Sequence, residues 1–391
     1  MRKSALSIML AAAVVVACAI AARAEILVGV AAPLTGPNAA FGALIQKGTE
    51  FAAESINAAG GLNGEPIRII LGDDASDPAQ GVALARKFAA DGVKFVIGHF
   101  TSSTSIPASD VYAENDILMI TPSSTAVQLT ERGLTNVFRT IARDDRQADT
   151  AANYLLSNFR GARIAIVHDG TAYGRGLADR VKATLNGGGV SEALFADLPI
   201  GGDPSNLAAQ IEQTGATVVF YGGESYVDAG LLLRQVRERI PAITFMAGDS
   251  IATPSLPGVA GDAVDGVLMP LAPDPRLNPA AADVVERFRA AGFEPESYTL
   301  YAYAALQVIA EAAERAGSND PQKVAATLRE SGPWPTVLGS LSFDEKGDVQ
   351  QGGYIMYEWK KGPDGAYSYF AADPPICCAA NPQCDPLCQK S

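Results

Sequence analysis

The chain has 391 residues, with 30 Lys and Arg against 43 Asp and Glu, a formal charge of -13 and 48% hydrophobic residues. An acid excess of this size argues against a nucleic-acid partner, since neutralising phosphates requires clustered Lys and Arg; acidity of this kind serves solubility. The length exceeds one typical domain and predicts two lobes.

The N-terminus carries Arg2 and Lys3, an apolar stretch from Ala5 to Ala17 and a small-x-small site at Ala22-Arg23-Ala24, which predicts a secretory signal peptide over residues 1–24. The stretch is short for a membrane span and no second run of ~18 apolar residues follows, so the exported chain is expected to be soluble. Val15-Val16-Ala17-Cys18 also fits a lipoprotein signal with Cys18 lipidated, but the cleavage site beyond it favours the soluble form. Cleavage removes Arg2, Lys3 and Arg23 and no acid, which takes the charge from -13 to -16.

Short β-branched runs then recur at Ile26 to Ala31, Ile67 to Leu71, Lys94 to Gly98, Leu118 to Thr121, Arg163 to Val167, Thr217 to Tyr221 and Thr244 to Met246. Each is nearly all apolar, as strands buried on both faces of a parallel sheet are. Helices with legible ends lie between them: Asp77-Pro78 opens one that closes at Gly92, and the stretch Phe51 to Ala59 ends at Gly60-Gly61. The alternation repeats before and after residue 143, which predicts an α/β chain of two Rossmann-like lobes.

Candidate crossings between the lobes are Arg139 to Arg146, Met269 to Pro279 and Gly347 to Gly353. The third is read as interrupting a strand pair, Leu341-Ser342-Phe343 with Tyr354 to Tyr357. On this reading residues 25–143 with 270–350 form the N-terminal lobe, 144–269 with 351–376 the C-terminal lobe, and 377–391 a tail. Cys377, Cys378, Cys384 and Cys388 crowd that tail, while residues 25–376 have no cysteine. In an oxidising compartment they predict local disulfides, with zinc disfavoured because Cys377 and Cys378 are adjacent.

Reactive constellations are thin. The chain has no phosphate-binding loop and no G-x-S-x-G elbow, and Gly174-Arg175-Gly176 starts a nucleotide motif that fails at its third glycine. His99 and His168 each follow an apolar strand; a triad with Ser102 or Asp169 is conceivable, but loop-bracing histidines are the commoner outcome. Asp73, Asp74 and Asp77 lack the spacing of a calcium loop and read as a strand end and a helix cap. No enzyme, cofactor or metal is expected.

Two hydroxyl-rich junctions stand out, Thr101 to Ser105 after one strand and Ser123-Ser124-Thr125 after the next. In open α/β sheets ligands bind at the carboxyl ends of strands, where free N–H groups at helix starts hold a carboxylate. Helix capping is the plainer explanation of either cluster alone.

With these segments in place, the sequence resembles the periplasmic Leu/Ile/Val-binding proteins of branched-chain amino acid ABC importers, the type I periplasmic binding fold. The likeness runs from about Glu25 to Phe370 and rests on AAPLTGPNAAFG at 31–42, INAAGGLNG at 56–64, DDASDP at 73–78, DGVKFVIGHFTSSTSIPASDVY at 91–112, ILMITPSSTA at 117–126, RIAIVHDGTAYGRGLAD at 163–179, YGG at 221–223 and FDEKGD at 343–348. The resemblance implies a periplasmic, monomeric solute-binding protein that hands a small amino acid to an inner-membrane permease. It implies a ligand carboxylate on Ser102 and Thr125 in the turn Ser123-Ser124-Thr125, and an ammonium on the Ser123 carbonyl, the Thr125 hydroxyl and Asp249, where the family has Glu. Pocket walls map onto Phe41, Phe100, Tyr173 and Tyr298.

There are two departures from the family. Its N-lobe cysteine pair falls on Ser76 and Thr101, and its aromatic residue after YGG is replaced by Glu224-Ser225-Tyr226. Either Glu224 enters the pocket or Tyr226 takes the aromatic role; the favoured expectation puts Glu224 at a solvated rim with Tyr226 inward, because exposed glutamates are common. Ligands are expected to be small and neutral, branched-chain amino acids first, with alanine, γ-aminobutyrate or a polar or cationic amino acid as alternatives. A chemosensory ligand-binding role is the other functional class, and a secreted hydrolase is the third.

Overall fold

The computed structural model describes residues 25–363 and 365–372. The expected signal peptide, Cys18 and the tail cysteines Cys377, Cys378, Cys384 and Cys388 lie outside the described residues.

Five apolar runs form a parallel sheet: β1 (Ile26–Ala32), β2 (Ile67–Asp73), β3 (Phe95–Gly98), β4 (Leu118–Thr121) and β5 (Val137–Arg139), in the order β2-β1-β3-β4-β5. Helices cover both of its faces, so β3, β4 and β5 are buried throughout and have no polar side to show in sequence. On one face lie α1 (Ala39–Ala58) and, from far along the chain, α10 (Thr299–Ala316) and α11 (Pro321–Glu330); on the other lie α2 (Pro78–Asp91) and α3 (Ser102–Glu114). Gly48 lets α1 and α10 touch, because a Cβ there would stand 2.1 Å from the Thr299 carbonyl oxygen. That close approach fixes where α10 begins, and Tyr298 precedes it. Asp77 caps α2 by accepting the Gln80 N–H at 2.8 Å, as its sequence predicts.

The second unit contains α4 (Asp144–Asn158), β6 (Ile164–His168), α5 (Ala172–Gly187), β7 (Leu194–Asp197), α6 (Ser205–Gln213), β8 (Val218–Gly222), α7 (Tyr226–Arg239), β9 (Thr244–Ala247), α8 (Leu256–Ala260) and β10 (Leu268–Leu271). After α9 (Ala282–Ala290), α10, α11 and a short pair β11 (Trp334–Thr336) with β12 (Gly339–Leu341), the chain returns as β13 (Ile355–Lys361) and β14 (Tyr367–Ala371). The second sheet runs β14-β13-β10-β9-β8-β6-β7, with β13 and β14 antiparallel at one edge.

The expected pairing of Leu341 to Phe343 with Tyr354 to Tyr357 does not form. Leu341 pairs with Trp334, and β13 pairs with β10 and β14. The alternating pattern identified two strands, but the partners of each were supplied by distant segments.

Both sheets reverse their winding direction at the site. In the first the switch lies between β1 and β3, in the second between β6 and β8. Such switch points open a crevice at the carboxyl ends of the strands. The chain segments joining the units brace one another beside it: Arg139, fully buried, meets Asp348 at 2.6 Å, Arg143 meets the same carboxylate at 2.9 Å, and Arg146 donates to the carbonyls of Gln350 and Gly352.

Candidate functional site

The carboxyl end of β3 is built by a buried brace. His99 places Nδ1 2.6 Å from Asp74 and Nε2 2.9 Å from the Tyr112 hydroxyl, all out of contact with water. With both ring nitrogens engaged, His99 is a loop brace and not a base for Ser102. Its carbonyl accepts the Thr121 hydroxyl at 2.9 Å, and the hydroxyls of Ser123 and Ser124 lie 3.0 and 3.1 Å from the Phe100 carbonyl. Ser124 also meets Ser105 at 2.7 Å, and Ser102 Oγ accepts the Ala126 N–H at 3.1 Å.

The two hydroxyl clusters therefore sew the β3 and β4 ends together. Thr101, at the cap position of α3, makes no capping bond with its side chain, so the capping explanation does not account for the first cluster. Ser123 and Ser124 brace the turn with their hydroxyls, while Thr125 lies between the carbonyls of Ser124 and Ala126, both held by Arg139 at 2.9 and 3.1 Å.

Facing these donors is an acidic pole. Asp249 follows β9, buried, with the Tyr173 hydroxyl 2.9 Å from Oδ1 and the Tyr298 hydroxyl 3.1 Å from Oδ2. Gly248 makes room for this, because a Cβ there would lie 2.1 Å from the Tyr173 hydroxyl. Tyr173 also lies 3.2 Å from Gln147 Oε1, while Gln147 Nε2 has no partner among the described residues. A hydroxyl carries one proton; turning the Gln147 amide so that its NH2 donates to Tyr173 leaves the Tyr173 proton for Asp249.

Asp144 opens α4 with both carboxylate oxygens buried and unpartnered among the described residues. Burial pushes its carboxyl well above the usual range, against a lowering influence of the Thr125 hydroxyl, and the neighbouring Asp249 pushes it further up. Asp249 is likewise raised by burial, opposed by hydrogen bonds from Gln147, Tyr173 and Tyr298. No Lys or Arg among the described residues forms an ion pair with either. Arg139 attracts the Asp144 carboxyl from beyond ion-pair distance, so the two buried acids stand together without a directly paired cation.

The walls are aromatic. Phe41 and Phe100 stack at 4.6 Å, and Tyr298 meets them edge-on at 5.7 and 5.6 Å. Tyr226 meets Phe41 edge-on at 6.5 Å, so it packs inward as expected. Glu224 does not lie at a solvated rim. It is 5% exposed and crosses to the other unit, accepting the Ser103 N–H at 3.1 Å and the Ser103 hydroxyl at 2.6 Å. Asp169 holds its backbone N–H at 2.6 Å, and an uncapped helix start draws in the carboxylate, which together reverse the expectation.

The structure thus gathers Phe41, Phe100, Tyr173, Asp249 and Tyr298 by direct contact, sets Ser102 at the start of α3, and brings Thr125 against Asp144, whose N–H donates to the Thr125 carbonyl at 2.9 Å. Ser103, Asp144 and Gln147 were missed. Asp144 sat inside a charged stretch read as a crossing and Gln147 just beyond its end, where their spacing at the start of a helix was the available signal. Among the described residues no cluster of His, Cys, Asp and Glu is placed to hold a metal ion.

Two α/β units meeting at their switch points, with hydroxyl and N–H donors at the β3 and β4 ends and buried acids beside them, define a solute-binding cleft. The chain belongs to the periplasmic binding protein family, whose model matches residues 25–364. It is 54% identical over 360 residues to Leu/Ile/Val-binding protein homolog 1 of Brucella melitensis, covering 92% of this chain and 97% of that one. It is 47% identical over 342 residues to an amino acid binding protein of Pseudomonas aeruginosa, covering 86% and 91%. A leucine-binding protein of Thermotoga maritima superposes with a TM-score of 0.81 at 25% identity, covering 88% and 98%. A substrate-binding protein of Desulfitobacterium hafniense in complex with Leu superposes with a TM-score of 0.71 at 28% identity, covering 89% and 100%.

Proposed function

We propose that this chain is the periplasmic solute-binding component of an ABC importer, a monomer without enzymatic activity that captures a small apolar amino acid and delivers it to the inner-membrane permease. Leucine, isoleucine and valine are the first candidates. The observation that carries the reading is the convergence of Tyr173 and Tyr298 on Asp249, with the unpartnered Asp144 beside it, facing the β3 and β4 ends.

The ligand carboxylate sits on Ser102 and Thr125, where N–H groups and hydroxyls at strand ends stabilise an anion. The ammonium reaches Asp249 and Asp144, and the side chain lies against Phe41, Phe100, Tyr173 and Tyr298. Binding brings together a lobe of residues 25–143 with 270–350 and one of 144–269 with 351–376, and the closed form is what the permease recognises.

A thermal-shift series over leucine, isoleucine, valine, alanine, γ-aminobutyrate, arginine and lysine tests this. A ligand at about a hundred times its dissociation constant stabilises by ~2.7 kcal/mol, a readily visible shift. Stabilisation by branched-chain amino acids is expected; stabilisation by arginine or lysine alone would overturn the apolar assignment.

A further inference from the structure

Glu224 is a third buried acid at this site, and it sits at the wrong end. Asp144 and Asp249 occupy the pole that receives an ammonium, whereas Glu224 lies on Ser103, next to Ser102, a donor that receives a carboxylate. Asp169 after β6 and Tyr221 in β8 face it from its own unit, with Asp228 at the start of α7 acting on the same tyrosine. From the opposite unit only the α3 start reaches it, through Ser103 and Ser102. Among the described residues, no Lys, Arg or His pairs with it. An ionised Glu224 would therefore put one anion beside Asp169 and a second beside the ligand carboxylate, in a place closed to water.

We propose that Glu224 makes amino-acid capture proton-coupled: as the cleft closes, its carboxylate docks on Ser103 beside the ligand carboxylate and takes up one proton from bulk water. The inference rests on the amino-acid reading of the cleft. Protonated on one oxygen, Glu224 still accepts the Ser103 N–H with the other and donates its new O–H to the Ser103 hydroxyl, so closure keeps both contacts and loses the repulsion. Burial holds the docked carboxyl up at about 7, against the hydrogen bonds from Ser103. In an open cleft the group is solvated and returns to the ordinary range of about 4.3. Closure thus binds a proton between those limits. Affinity is greatest at the acid end, falls as pH rises through the docked value, and is flat above it. Neither backbone group of a free amino acid titrates in that window, so the dependence belongs to the protein.

The test uses the full mature chain. Calorimetric titration with leucine at about pH 6, in two buffers of different ionisation enthalpy, should show the parent taking up more than about half a proton more per ligand bound than Glu224→Gln. The affinity of the parent relative to Glu224→Gln should fall about twentyfold between about pH 5.5 and 7.5. Asp144 and Asp249 face the ammonium and release protons in both proteins, so Glu224 is read from the difference between them; an equal proton balance in the parent and Glu224→Gln overturns the proposal. A ligand-free comparison runs alongside: with the cleft open Glu224 is solvated, so the difference in heat stability between the parent and Glu224→Gln should stay constant from about pH 5 to 7.5. A parent that loses stability relative to the variant over that range without ligand shows Glu224 already docked before capture and also overturns it. Because that comparison needs no amino acid, a cleft that bound none would refute the amino-acid reading while Glu224 is still judged on its own titration.

Discussion

Tyr298 donates to Oδ2 of Asp249 at 3.1 Å, although the tyrosine heads a helix packed on the first sheet and the aspartate ends a strand of the second. Its ring meanwhile rests edge-on against Phe41 and Phe100. One side chain therefore joins the apolar wall to the acidic pole across the cleft. Tyr298→Phe keeps the ring and loses a hydrogen bond to a charged group, worth ~1.5–3 kcal/mol. Leucine affinity measured by calorimetry should drop at least about tenfold with thermal stability little changed; unchanged affinity would mean that the hydroxyl plays no part in closure.

Asp249 and Asp144 should separate in their effects. Truncating one partner of a desolvated charge pair costs ~2–5 kcal/mol, so Asp249→Ala should weaken binding at least about thirtyfold.

Asp144 should trade stability for function. Its carboxylate is buried with no partner among the described residues, so the unliganded protein carries an uncompensated cost that Asp144→Asn relieves. Because burial raises its folded pKa, the stabilising effect of its protonated form is present below the ordinary carboxylate range and lost as pH rises. Asp144→Asn should therefore melt higher than the parent near neutral pH, less so in acid, while binding leucine more weakly. A variant that melts lower and binds normally would place Asp144 among structural residues.

Phe100 stacks on Phe41 at 4.6 Å, and the proposed function makes it the wall that sets the depth of the pocket. Shortening it to leucine removes part of that wall at a stability cost of about 1 kcal/mol. Competition binding should then shift in favour of longer side chains, leucine gaining on valine and alanine. An unchanged order would show that Phe100 packs behind the pocket and not in it.

Gly248→Ala should damage the site without unfolding the chain. The new methyl would stand 2.1 Å from the Tyr173 hydroxyl and 2.9 Å from Gln147 Oε1, so Tyr173 must leave Asp249. Circular dichroism should be preserved while leucine binding falls at least about tenfold, the scale of one lost hydrogen bond to a charge.

The parallel strands were legible because burial on both faces removes polar residues from them, and β3 and β4 show this in unbroken apolar runs. The aromatic wall and Asp249 were legible only through family resemblance. Glu224 was misplaced because exposure is the ordinary fate of a glutamate, and nothing local reveals that Ser103, 121 residues away, offers it an uncapped helix start. Asp144 was overlooked for the same reason: its significance lies in partners it lacks, which only three-dimensional packing discloses. The pairing of β13 with β10 failed similarly, since a strand takes its partners from tertiary neighbours far along the chain.

The most direct test of the central claim is calorimetric titration of the mature chain with leucine, run beside Asp249→Ala. The account predicts saturable binding of one leucine per chain, lost or weakened at least about thirtyfold in the variant. Equal affinity in both proteins, or no heat from leucine, isoleucine or valine in the parent, would contradict it.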